Sequence, residues 1–182
     1  MLKITVPKGE IFLESSNQFI TLEKDQVLQL EHSLLSLSKW ESKWHKAYLS
    51  KTVEKTREET IDYIRCMTVT PNVDPDVYNF LTQKNIEAVV EYIEDPMTAT
   101  TFRKEEGRGG SNEVMTAEII YYAMISSNIP FECQKWHLNK LLALIRVCSI
   151  KNQPPKKMSQ REILSRNHSL NAARRKKLNS RG

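Results

Sequence analysis

Apolar residues change their spacing several times along the chain, and each change marks an expected element. At the N-terminus KITV is rich in β-branched residues, and Pro7-Lys8-Gly9-Glu10 forms a turn. IFLESSNQFITL then sets a polar Ser-Ser-Asn-Gln bend between two short apolar runs, so two or three short antiparallel strands are expected over about residues 2–22. From about Lys24 the spacing of Val27, Leu30, Leu34, Leu35 and Leu37 predicts a helix, either running to Lys46 or breaking near Ser38. TREETIDYIRCM predicts a second helix, with its acids early, where the positive end of the helix dipole favours them. Asp74-Pro75 has the pattern of an N-cap followed by proline at the first helical position, opening a short helix through Leu81. Thr82 caps the next, QKNIEAVVEYIED, whose Ile86, Val89, Val90 and Ile93 form one apolar stripe.

The stretch from Asp95 to Thr116 differs in kind. Its threonines and Phe102 favour strand, and EEGRGGSNE is polar and glycine-rich, so a hairpin with a loop tip is expected over about 98–115. Two core helices follow. One opens at Thr116 with Ile119, Ile120, Ala123 and Met124 inward. The other starts near Pro130 and is apolar around most of its girth from Leu138 to Ile150. So apolar a helix is expected to be central and buried, and Leu141→Asp or Val147→Asp to unfold the protein. Beyond Lys151, NQPPKKM is a proline break, and Ser159 with Glu162 forms an S-x-x-E capping box that restarts a helix. Ile163, Leu164 and Leu170 give that helix only a narrow apolar stripe, too sparse for a core. The pattern therefore specifies a mainly α fold with a small antiparallel β portion (α+β). A compact domain over 1–152 is followed by a protruding basic linker and C-terminal helix over 153–182.

Charge sharpens this division. Residues 151–182 hold ten of the 27 basic side chains and one of the 22 acidic ones, a net +9, which leaves −4 for residues 1–150. A mildly acidic body thus carries a strongly basic tail. Three readings of the tail stay open: a solvated appendage, a docking helix for an acidic protein surface, and a non-specific grip on nucleic acid. The candidate partner-binding residues are Lys156, Lys157, Arg161, Arg166, Leu170, Arg174, Arg175, Lys176 and Lys177. A second candidate is the aromatic set Trp40, Trp44 and Tyr48, four apart among Lys39, Lys43, Lys46 and Lys51. It suits core packing with snorkelling lysines, a protein-docking patch, or base stacking.

Motifs for chemistry are few. GRGGS lacks both phosphate-loop spacings. Cys133 and His137, four apart on an expected helix, make half a zinc site with no second Cys/His pair to complete it. Cys66, Cys133 and Cys148 are odd in number and set in apolar patterns, which suits reduced, buried thiols. No G-x-S-x-G elbow or paired-carboxylate pattern appears. The residues therefore nominate no catalytic group, metal site or cofactor, and a non-enzymatic role is expected. No apolar run approaches the roughly 18 residues that span a bilayer, and the first residues lack a secretory pattern, so a cytosolic product without membrane contact is expected.

Three stretches carry a resemblance: IDYIRCMTVTPNVDPDVYNFLT with YIEDPMTATTF, IPFECQKWHLNKLLALIRVCSIKN, and PPKKMSQREILSRNHSLNAARRKKLNSRG. Together they resemble a family of small proteins from tailed-bacteriophage tail-gene clusters, most closely the tail assembly chaperones. The resemblance covers most of the chain and is strongest from about Asp62 onward. It implies a non-enzymatic tail assembly factor that contacts tape-measure and tube proteins in the host cytoplasm during phage assembly. It also leaves open a structural tail or head–tail component of the virion. Such chaperones are often acidic and sometimes extended by a ribosomal frameshift, whereas this chain is net basic. A nucleic-acid-binding accessory protein is the reading from a different class. An acidic body and basic tail on one chain also permit self-association, tail of one copy on body of the next.

Overall fold

The computed structural model describes residues 1–13, 17–50, 52–102, 114–152 and 159–179. Four strands open the chain: β1 (Leu2–Val6), β2 (Gly9–Leu13), β3 (Gln18–Leu22) and β4 (Gln26–Leu30). They form two nested antiparallel pairs. β1 pairs with β4, setting Ile4 opposite Leu28, and β2 pairs with β3, setting Ile11 opposite Ile20 and Phe12 opposite Phe19. β4 also gains backbone bonds on its other side, Glu31 N–H to Met67 O at 2.9 Å and Val69 N–H to Gln29 O at 2.8 Å.

β4 corrects the helix expected from Lys24. Leu28 and Leu30 are fully buried while Val27 in the same strand is exposed, so the local period is two and the segment completes a pair with β1. The helix starts only at α1 (Leu34–Trp44). Its start is set by Ser33, whose Oγ accepts from the Ser36 N–H while Ser36 Oγ accepts from the Ser33 N–H. α1 passes Ser38 without a break and stops at His45, which adopts the left-handed conformation at φ 52.

The later helices follow their capping signals. α2 (Arg57–Met67) begins with a Thr56–Glu59 capping box, and a 3₁₀ segment, Pro75–Phe80, begins at Asp74. α3 (Gln83–Glu94) begins with a Thr82–Asn85 box. α4 (Ala117–Ser126) and a 3₁₀ segment, Phe131–Lys135, precede α5 (Leu138–Lys151). The fold is α+β, mainly helical with a small antiparallel portion. Contacts divide the chain into Met1–Ser149 and Ile150–Gly182. The second unit contains α6 (Gln160–Leu178), which buries none of its residues.

The core of the first unit has two clusters. The β-strands, Trp40, Tyr63, Ile64, Met67, Val77, Phe80 and Val89 make one; Leu34, Leu37, Ile120, Met124, Leu138 and Leu141 make the other. α1 supplies both, Trp40 to the first and Leu34 and Leu37 to the second.

Three further expectations change. α3 turns Val89 and Tyr92 inward, and Val90 is 44% exposed, because a narrow contact on β1 covers only part of its apolar stripe. Thr98–Phe102 form no strand, and the rest of the expected hairpin, 103–113, lies outside the described residues. α5 is not the buried centre of the fold. Leu138 and Leu141 are fully buried, whereas Leu142, Leu144, Ile145, Val147 and Cys148 are only half-covered. Leu138 and Leu141 sit inside the cluster shared with α1 and α4, and Leu142, Leu144, Ile145 and Cys148 pack against its edge without being enclosed.

Leu141 and Val147 should therefore respond differently to a charge. Leu141→Asp removes about 1.5–3 kcal/mol of apolar burial and adds the larger cost of an unpaired buried carboxylate. It should abolish the cooperative urea transition, while Val147→Asp should keep it, at a cost of about 1 kcal/mol.

Candidate functional site

A reactive site would draw on titratable side chains held in the interior, and α2 holds two. Glu59 and Asp62 both lie on the face of α2 that meets α1. Asp62 accepts from Lys43 Nζ at 2.6 Å and from Trp44 Nε1 at 2.9 Å, with Arg65 at 3.7 Å. Burial pushes the Asp62 carboxyl upward, but Lys43, Trp44 and Arg65 outweigh it and hold it below the usual range. Glu59 is paired with Lys46 and accepts from the Thr56 N–H, and these bonds hold it low as well. The Trp40 indole donates to the Glu59 carbonyl at 2.8 Å. These groups fasten two helices together.

Glu41 does similar work on the other side of α1. Its two oxygens accept from the Tyr48 N–H at 2.9 Å and the Ala117 N–H at 2.7 Å. Thr116 makes no side-chain cap of α4, so the Glu41 carboxylate satisfies the first amide of that helix from a distance of 76 residues in sequence. Burial raises its pKa, the two amide bonds pull the other way, and Glu118 adds to the rise.

Two buried histidines join four segments, their own turns before α1 and α5 and the helices α2 and α3. The Tyr63 hydroxyl lies 2.6 Å from His32 Nδ1, and His137 Nε2 donates to the Tyr92 carbonyl at 3.0 Å. The rings lie 5.2 Å apart, edge to face. Beside them, Leu138 N–H donates to His32 O at 2.7 Å, and Asn139 Nδ2 donates to the Ile93 and Asp95 carbonyls. Desolvation, then the neighbouring His137, lowers the His32 pKa from 6.5 to about 3. Cys133 and His137 do not share a helix face, since the 3₁₀ segment ends between them at Lys135. Among the described residues no group of three or more His, Cys, Asp or Glu side chains is placed to hold a metal ion.

Several polar groups that line grooves of the first unit are engaged with other parts of the fold. One groove, about 490 Å³, is lined by residues that include Met1, Glu31, Lys39, Cys66 and Lys135. Glu31 there binds the N-terminal ammonium at 3.2 Å and accepts from the Tyr92 hydroxyl at 2.8 Å. Burial pushes the Cys66 thiol up, toward its inert protonated form.

The aromatic set is interior. Trp40 is fully buried, Trp44 half-buried, and Tyr48 stacks on Tyr63 with ring centroids 3.7 Å apart. Packing accounts for all three, with Lys43 and Lys46 drawn to Asp62 and Glu59. No helix among the described residues is long and apolar enough to cross a membrane.

α6 presents the remaining candidates. Ser159 Oγ accepts from the Glu162 N–H at 3.2 Å, Ser159 N–H donates to Glu162 Oε2 at 2.8 Å, and Asn179 closes the far end at φ 49. At the α-helical repeat, Arg166, Lys177, Leu170, Ile163 and Arg174 fall within about 80° of the circumference. The exposed Ile163–Leu170 stripe therefore lies between cations. Arg161, Arg175 and Lys176 fall on other sides, and Lys156 and Lys157 lie outside the described residues.

One surface escaped the sequence reading. On α3, Glu87, Val90, Glu91 and Glu94 are all exposed and share about 100° of the helix surface. The spacing i, i+4, i+7 of the three glutamates carries the signal, and the place of Val90 in the helical apolar stripe obscures it. Comparison with family models, with curated proteins and with solved structures finds no match.

The buried ionisable groups set an expected acid response. His32 contributes full stability above about pH 6.5 and loses it as pH falls toward about 3. Asp62 and Glu59, held low, add stability above their ordinary pKa values and lose it on further acidification. Glu41, held high, has the opposite sign, and acid relieves part of its burial cost. Urea unfolding at stepped pH should show stability falling below about pH 6.5, and His32→Gln should flatten that fall down to about pH 4.5. Glu41→Gln should cost about 1–3 kcal/mol at neutral pH, because one backbone N–H then faces an amide donor.

Proposed function

We propose that the protein is a non-enzymatic assembly factor of tailed-phage morphogenesis, a tail assembly chaperone that works by contacts with tape-measure and tube proteins. The observation that carries this reading is α6: a helix capped at both ends, exposed along its whole length, with an apolar stripe set between arginines and a lysine. An isolated helix of this length is marginal in water unless something packs on it. Its stripe and flanks suit an acidic amphipathic surface, the helix-in-groove mode of recognition. The three quoted stretches that resemble the phage tail-cluster family supply the choice of partner. The first unit supports the same reading, since Glu41, Glu59, Asp62, His32 and His137 are committed to joining elements.

Co-expression with the tube and tape-measure proteins tests the proposal. The full chain should be retained with one or both, and a chain lacking residues 154–182 should lose at least about tenfold in capture; equal capture by the truncated chain removes α6 from the mechanism. Mass spectrometry of purified virions separates the two structural roles. A chaperone should be absent from particles while its deletion blocks tail formation; stoichiometric presence would assign a virion component instead.

A further inference from the structure

The exposed face of α3 carries a cost that the single chain does not offset. Glu91 and Glu94 stand in its last turn, at the negative end of the helix dipole, and that turn holds no basic residue. Gln83 donates to Glu87 at 3.1 Å, and Asp95 follows the helix, adding a fourth carboxylate. Among the described residues no cation is paired with Glu87, Glu91 or Glu94. Val90, 44% exposed, borders this acidic face. An apolar spot flanked by acids is the chemical complement of an apolar stripe set between bases.

α6 is such a stripe. Leu170 is 45% exposed, with Arg174 and Lys177 on the same side and three basic residues in its last turn. Two copies of α6 would repel one another through these cations, so the helix does not suit pairing with itself. We infer that α6 of one copy docks on the outer face of α3 of a second copy, seating Leu170 against Val90. Arg174 and Lys177 then lie among Glu91, Glu94 and Asp95. A parallel arrangement fits the charges along both helices. The carboxylates of α3 lie toward its C-terminus and Lys84 near its start, whereas α6 has Glu162 in its first turn and its cations at the end. This inference does not rest on the identity of any phage partner. It concerns purified chains alone, so its failure leaves the co-expression test untouched.

Sedimentation velocity on the nuclease-treated full chain provides the test. The chain should associate with rising concentration at about 50 mM salt, and at least about tenfold more weakly at about 500 mM, where the Debye length has shrunk to a few ångströms. The variant Glu87→Lys/Glu91→Lys/Glu94→Lys should remain monomeric, as should Arg174→Glu/Lys177→Glu. The first is expected to fold at least as well as the parent, because it puts cations at a helix C-terminus, and circular dichroism checks this. Mixing the two variants should restore association, since the basic α6 of one meets the acidic α3 of the other and the reversed pair also matches. Four results would overturn the inference: a wild-type monomer at every concentration, association indifferent to salt, association lost on nuclease treatment, or no recovery in the mixture of folded variants.

Discussion

Helix α1 has to be buried on two sides at once, and the rest of the first unit is arranged around that demand. Trp40 enters the cluster built on the strands, while Leu34 and Leu37 enter the cluster shared with α4 and α5. A helix so enclosed leaves few of its polar atoms to water, and each one buried without a partner would cost on the order of 1–3 kcal/mol. Every such group is met. Ser36 closes the cap at Ser33, the Trp40 indole reaches the Glu59 carbonyl, and Glu41 collects two backbone amides. Among the described residues no buried side-chain nitrogen or oxygen is left without a hydrogen-bond partner.

That arrangement governs where chemistry is free to act. The acids and histidines that would interest an enzymologist are locked into joints between elements, with His32 kept neutral and Asp62 kept charged by their surroundings. Groups available to another molecule lie instead on helix exteriors, acidic on α3 and basic with a thread of leucine and isoleucine on α6. The interior ionisable groups are thus tied to neighbouring elements, while the charged groups of α3 and α6 face solvent.

Capping chemistry made much of this fold readable from sequence. Asp74-Pro75, Thr82 and the Ser159–Glu162 box mark element starts where they occur, because a cap is a local bargain struck within four residues. β4 was misread because Val27, Leu30 and Leu34 keep a helical spacing by coincidence, and only the distant pairing with β1 selects the period of two. α5 misled in another way. Its composition promises a central helix, but composition records what a residue would gain from burial, not whether the fold has room to bury it. The roles of Trp40 and Glu41 depended on partners 19 and 76 residues away, Glu59 and Ala117, which no local pattern contains. The basic face of α6 was visible as charge, but its division into a stripe side and an opposite side required the helix itself.

The full exposure of α6 has a further consequence for how such a chain can change. A residue that contributes nothing to a core is not constrained by one, so substitutions along Gln160–Leu178 leave the packing around α1 unaffected. Selection for a new binding partner can therefore act on this helix without being opposed by selection for folding. On the docking role proposed for α6, fold and recognition would be inherited as separable parts of one gene.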